Sequence, residues 1–359
     1  MDTPQSDPVG GLDLAGGDTV SRKDILRRGG AGVGALVLGG AVAASPAAAG
    51  MRAPGVLKSR KTYRVSYGGA TCEAFTFAAF AEHLWAHDGI NVDLVHSPLG
   101  VPNMHTLSAG TIDAAPSNFY SYLKPLEQGA DIRVTAGLHA GCLRMVVGVT
   151  SGIRTYADLK GKTIGTNGVG NAPSPFFSVA LAKAGLRPTK DVQWRTYLPA
   201  QFGPALERGE IQAVAAIDPA PFMLVQQGKA VEIGSNMTGM FANMFCCAAG
   251  LSGKLVRDQP KVAAALTRGL IHGSLYTGQH SREIAAIEVS DKFVSVDLKT
   301  AQHLLASYTW NPSATAIKGQ LEQGAREFML TGLLNKNTDP VQLAAKAYVD
   351  IFWLAGEAP

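Results

Sequence analysis

From Lys61 onward the chain alternates short strand-like and helix-like segments, and this alternation constrains its fold more than any other feature. Tyr63–Tyr67 alternates as a strand and runs into Gly68-Gly69-Ala70-Thr71. Thr71 reads as a helix N-cap, with Glu73 in the first turn where the helix dipole favours an acid. Phe77, Phe80, Ala81 and Leu84 recur at helical spacing until Gly89 stops the helix. Ile90–Val95 is the next strand, Pro102–Ala109 a short helix, and Ile112–Ala115 a brief strand, after which Ser117-Asn118 opens another helix. A second set begins near Tyr156. It comprises a strand at Lys162–Thr166, a loop from Gly168 to Pro173, and a helix at Pro175–Ala184 framed by Ser174 and Gly185. A strand at Val192–Tyr197, a helix at Phe202–Arg208 and a strand at Ala213–Ile217 complete it, ending at Asp218-Pro219. Beyond Leu255 the pattern is dominantly helical.

Strands separated by helices imply mainly parallel sheets with helices on their faces. The expected class is α/β, built as two lobes that each hold a small, mainly parallel sheet. Two apolar runs join the sets, Leu143–Val149 and Met244–Leu251. The expected organisation places lobe one at 62–143 and 251–359, lobe two at 150–243, and hinge crossings at 144–149 and 244–250.

The first 49 residues stand apart. Ser21-Arg22-Lys23-Asp24-Ile25-Leu26-Arg27-Arg28 is a charged region, Gly29–Ala44 a weakly apolar one, and Ala47-Ala48-Ala49 an Ala-x-Ala exit. This order reads as a signal peptide spanning residues 1–49, twin-arginine-like except that Lys23 stands where that route prefers a second Arg. An apolar stretch of about 16 residues, diluted by glycine, is too short for the roughly 20 residues of a membrane span. The expected location is therefore periplasmic or otherwise extracytoplasmic. A formal charge of +4 spread along the chain, with no Lys/Arg run, excludes a nucleic-acid partner. There is no Gly-x-Ser-x-Gly elbow, no His-Glu-x-x-His and no complete dinucleotide fingerprint. Hence no catalytic residue, cofactor or metal ligand is expected.

Several segments resemble one family, the ABC-importer binding proteins for nitrate, sulfonates, taurine, bicarbonate and thiamine pyrimidine precursors. Tyr156-Ala157-Asp158-Leu159-Lys160-Gly161-Lys162-Thr163-Ile164-Gly165 looks like the family's entry into its second lobe. The helix ending at Gly185-Leu186 and the segment Ala205-Leu206-Glu207-Arg208-Gly209-Glu210-Ile211-Gln212-Ala213, followed by Asp218-Pro219, are similar to two further motifs. Leu107-Ser108-Ala109-Gly110-Thr111-Ile112-Asp113 looks like a first-lobe motif. Gln212 departs from the pattern, where the family usually carries an acid. The resemblance implies a type II-like periplasmic binding fold whose two lobes close over a small anionic or heteroatom-rich solute. It also implies a monomer that delivers this solute to an ABC permease in the membrane. A periplasmic sensor partner and a thiamine-pyrimidine-synthase-like enzyme are the alternatives.

The candidate ligand residues sit at strand-to-helix turns, where free backbone N–H groups meet ligand oxygens. In the first lobe these are Thr71, Cys72, Ser117 and Asn118, and in the second Asn167, Gly168 and Asn171 in a glycine-bearing loop that can form an anion nest. Asp218 can bind a cationic group, or merely cap the next helix. His139 and Cys142, also candidate ligand residues, precede one apolar run, and Phe245-Cys246-Cys247 lies on the other. Three readings stay open for the thiols: inert buried side chains, a disulfide formed after export, or a soft-metal or thiol-reactive site with His139. No paired Cys or His spacing marks a metal site. His83 and His87, at i and i+4, read as surface groups, and Met237, Met240 and Met244 as packing residues.

Overall fold

The computed structural model describes Leu57, residues 61–97 and residues 104–359. The signal-peptide reading of residues 1–49 lies outside the described residues. Among the described residues no helix is long and apolar enough to cross a membrane.

The architecture is α/β with two lobes, as the alternation implies. Ten strands form its sheets among the described residues: β1 (Thr62–Tyr67), β2 (Asn91–His96), β3 (Ser117–Asn118), β4 (Ile132–His139), β5 (Leu143–Gly148), β6 (Thr163–Thr166), β7 (Gln193–Thr196), β8 (Ala213–Ile217), β9 (Ala230–Ser235) and β10 (Cys247–Ser252). In the first lobe β2 pairs with β1 in parallel, and Ala114 bridges β1 to β10 through Val65 and Leu251. β10 also pairs antiparallel with β3 and β4. The second sheet has the order β7-β6-β8-β5-β9, with β5 antiparallel to both of its neighbours.

The two runs expected as hinge crossings are thus strands, β5 lying between β8 and β9 in the second sheet and β10 between β3 and β4 in the first. A continuous apolar run fits a strand buried on both faces. Each is the one strand in its sheet that runs against the others, because each has just arrived from the other lobe. The chain leaves the first sheet after His139 and enters the second at Leu143, then leaves at Ser235 and returns at Cys247. Both passages therefore join the carboxyl end of one sheet's strands to the start of a reversed strand in the other. This topology places His139, Cys142, Cys246 and Cys247 at the junction of the lobes.

Helices cover the sheets, and the helix Pro260–Gln279 packs against Ala74–Ala81. The approach is close at Gly273, where a Cβ would lie 2.0 Å from the Phe75 carbonyl oxygen. The C-terminal chain returns to β4, with Gly137 bridged to Ser313 and Ala140 to Thr309, which brings Tyr308 to the junction.

Local expectations differ at several points. Thr71 is no N-cap: it opens a 3-10 turn, Thr71–Glu73, ahead of the helix Ala74–Ala81. Ser117 and Asn118 are strand residues because they pair with Ala248 and Cys247. The second-lobe helix begins at Pro173, so Ser174 lies in its first turn, where its Oγ accepts from Gly170 N–H at 2.8 Å. His83 is left-handed (φ 54°) and breaks the helix, so His83 and His87 do not share one helical face. Gln212 ties a turn, accepting from Thr163 N–H and donating to the Gly209 carbonyl.

Candidate functional site

Ligands of such sheets sit outside the carboxyl ends of the parallel strands. Here a cavity of about 380 Å³ opens at that edge. The turn after β1, with Cys72 and Glu73, forms one wall beside Ser117 and Asn118. Asn167, Gly170 and Asn171 form the opposite wall, and Cys142, Cys246 and Cys247 line the floor. Of the residues expected to bind ligand, Cys72, Ser117, Asn118, Cys142, Asn167 and Asn171 line this cavity. Thr71, His139 and Asp218 are fully buried behind it, and Gly168 is not part of its lining.

The free amides expected at the turns are already engaged. The Glu73 carboxylate folds back and accepts from Gly68, Gly69 and Ala70 N–H groups at 2.8–2.9 Å. Burial, and after it the Cys72 sulfur, push this carboxyl up to about 7 against those donors. In the second lobe Val169 N–H donates to Thr196 Oγ1, Gly170 N–H to Ser174 Oγ and Asn171 N–H to the Gly168 carbonyl. The amides of Gly68, Gly69, Ala70, Val169, Gly170 and Asn171 are thus not free to bind an anion. What remains available is different in kind: Asn167 Nδ2 and Ser121 Oγ are buried without a hydrogen-bond partner, and both residues line the cavity. The amide oxygen of Asn167 accepts from Ile217 N–H at 3.3 Å.

Behind the cavity a polar chain joins the lobes. Thr71 Oγ1 lies 3.2 Å from Tyr308 OH, which donates to Asp218 at 3.1 Å. Arg144 Nε donates to both Asp218 oxygens at 2.9 and 3.0 Å, and its Nη1 to Glu232 at 2.6 Å. Asp218 is thus no helix cap. Burial pushes its carboxyl up to about 6, although Arg144 and Tyr308 pull it down. Asp218, and after it Glu232, hold Arg144 above its ordinary value despite burial. Arg144 stays charged throughout, and the carboxylate is the partner that titrates. Tyr308 and Arg144 carried no sequence signal, since their roles exist only once distant segments meet.

All four cysteines of the chain converge on the floor, buried and free. Cys142 Sγ and Cys246 Sγ are 3.3 Å apart, against about 2.05 Å in a disulfide. Donor atoms of Cys72, His139 and Cys142 lie within 4.8 Å of one another, as do those of His139, Cys246 and Cys247. The Cys142 and Cys247 thiols hold Cys72 well below its usual range, while burial pushes Cys142 well above it. Spacing arguments miss this cluster because its members come from three separate segments.

The geometry defines a two-lobed periplasmic binding protein fold with an interlobe cavity, and comparisons with known proteins agree. The fold is shared with the alkanesulfonate-binding protein of Xanthomonas axonopodis pv. citri, solved with MOPS, at TM-score 0.66 and 19% identity, covering 80% of this chain and 98% of that one. It is shared with the periplasmic nitrate-binding protein of Synechocystis PCC 6803 at TM-score 0.68 and 16% identity, covering 85% and 89%. The periplasmic aliphatic sulphonate-binding protein of Escherichia coli aligns at TM-score 0.63 and 18% identity, covering 79% and 92%. Among curated proteins none matches the chain. The NMT1-like family model matches residues 58–290, and the chain belongs to the NMT1-like family.

Proposed function

We propose that this chain is the extracytoplasmic solute-binding component of an ABC-type importer, exported by the segment 1–49 and docking on a membrane permease when loaded. The observation that carries the reading is the cavity at the carboxyl edges of both sheets, bounded by the two passages between lobes. A small solute held there touches both lobes at once, so binding favours the closed arrangement over the open one. The hinge positions in this reading are the few residues between His139 and Leu143 and those between Ser235 and Cys247.

The proposed solute contacts are Cys72, Ser117, Asn118, Cys142, Asn167 and Asn171, with Ser121 added. The structural relatives named above are binding proteins for sulfonates and nitrate, both oxyanions. In this chain the turn amides are engaged internally, and Lys124, the cation on the cavity wall, pairs with Glu127. Such a lining favours a heteroatom-rich solute without a bare negative charge. No reaction is needed to account for these groups. Native mass spectrometry of the mature protein as isolated is the test. A bound species released on denaturation is expected, and a mass equal to the bare chain under every growth condition, with no closure by small-angle scattering, would count against the reading.

A further inference from the structure

We propose that the floor of the cleft binds a single thiophilic metal ion of the zinc and copper(I) class, held by the thiolates of Cys72, Cys142, Cys246 and Cys247 with the His139 imidazole beside them. The inference rests on the reading of the cleft as the solute site only for the ion's route of entry.

The donor set is the first argument. Thiolate and imidazole are the ligands that select zinc and copper(I) over magnesium and calcium. The two triads that share His139 bring five such donors together, each triad spanning no more than 4.8 Å. A tetrahedron of sulfurs about 2.3 Å from a central ion has edges of about 3.8 Å. The Cys142–Cys246 separation of 3.3 Å is within half an ångström of that, so small side-chain rotations open the cage.

His139 supplies the second, independent argument. Its side chain is 0% exposed, and neither ring nitrogen has a hydrogen-bond partner at ordinary geometry. A buried polar atom without a partner costs about 1–3 kcal/mol, and a place at a metal centre, donating to a bound thiolate or ligating the ion, is one of the few roles that explains the cost. The backbone points the same way. Cys142 sits at φ 92°, a conformation that glycine adopts freely and a side chain does not. Gly141 before it has φ 103° and meets no such penalty. Retaining a thiol at the strained position places Sγ against Cys246.

Access completes the case. All four cysteines line the 380 Å³ cavity, so an ion can reach them from solvent, and the thiol protons can leave by the same path. The turn amides, already engaged by Glu73, Thr196 and Ser174, offer no competing anion subsite.

The test uses the full mature chain, reduced and anaerobic, with four thiols confirmed by titration. Zinc(II), and separately copper(I) delivered from a chelator buffer, should bind at one ion per chain, while magnesium(II) should not bind. Cobalt(II) at the zinc site should show strong sulfur-to-metal charge transfer. Cys142→Ser and Cys246→Ser should each weaken zinc binding by at least about 100-fold. Should either variant fold poorly, differential alkylation of the parent decides: zinc must slow labelling of all four cysteines. A reduced chain that takes up neither metal beyond the magnesium control overturns the site, as does zinc uptake that leaves the thiols' labelling rates unchanged. A chain that retains an organic solute yet takes up no metal overturns the site and leaves the binding-protein reading standing. Metal held by the four cysteines without lobe closure does the reverse.

Discussion

Replacing Tyr308 by Phe removes one oxygen atom from the polar chain that joins the lobes and leaves the ring packing intact. Tyr308 OH donates to the buried Asp218 carboxylate at 3.1 Å and lies 3.2 Å from Thr71 Oγ1. A hydrogen bond to a charged acceptor is worth about 1.5–3 kcal/mol, and orphaning the buried Thr71 hydroxyl adds about 1 kcal/mol or more. The expected loss of stability at pH 8 is thus about 3 kcal/mol. The pH dependence sharpens the test. Asp218 is raised from 3.8 to about 6, mainly by burial, so the folded state holds this proton more tightly than the unfolded chain. Its ionisation therefore costs nothing below about pH 4 and costs fully above about pH 6, an upper bound of about 3 kcal/mol for a shift of this size. Without the Tyr308 hydroxyl the folded value rises further, and the decline of stability runs to higher pH. Below pH 6 the lost bond goes to a neutral acid and is worth about 1 kcal/mol. Urea unfolding of parent and variant at pH 5 and pH 8 reads the difference directly. A penalty that is equal at the two pH values, or below about 1 kcal/mol at pH 8, refutes the assignment of Tyr308 to the Asp218 carboxylate.

Glu73→Ala should uncover the Gly68, Gly69 and Ala70 amides and create weak sulfate binding that the parent lacks; calorimetry showing no difference would reject the internal-anion account. Asn167→Ala should abolish retention of the native solute by native mass spectrometry while lowering stability by only about 1 kcal/mol, since Asn167 makes one long bond to Ile217 N–H. Gly141→Ala should destabilise by about 1–3 kcal/mol in thermal melts, because φ is 103° and the new Cβ meets Tyr308 Cδ1 at 3.0 Å. N-terminal sequencing of exported protein should begin at Gly50, and an intact leader on the exported protein would contradict the signal reading.

The sheets were largely readable because strand and helix periods differ and turns carry glycine and proline. The points of difference have a common physical cause: a short-range signal falls on a group whose partner is distant in sequence. Thr71 has the residue type of an N-cap, yet its hydroxyl meets Tyr308. Glu73 has the position of a dipole-stabilising acid, yet it curls back onto the amides of its own turn. Ser117-Asn118 resembles a helix opening, but β10 offers these residues a ladder instead. Asp218 precedes a helix, and its carboxylate nonetheless faces Arg144 across the sheet.

The cysteine cluster illustrates the limit most sharply, because its members are individually ordinary and collectively improbable. Cys72 follows β1, Cys142 precedes β5, and Cys246 precedes β10, which Cys247 opens. Only the pair at 246 and 247 is adjacent in sequence, and a Cys-Cys pair carries no metal signature on its own. Reversal of β5 and β10 brings the four together, because each reversed strand starts at the edge where the parallel strands end. The same rule that locates ligands in α/β sheets therefore also gathers the thiols, and a spacing rule applied along the chain has no access to it. Cys72, after a parallel strand, and Cys142, before a reversed one, both line the cleft in this topology. Four soft donors from three such places surround a histidine whose nitrogens lack partners, which sets the cleft floor apart chemically.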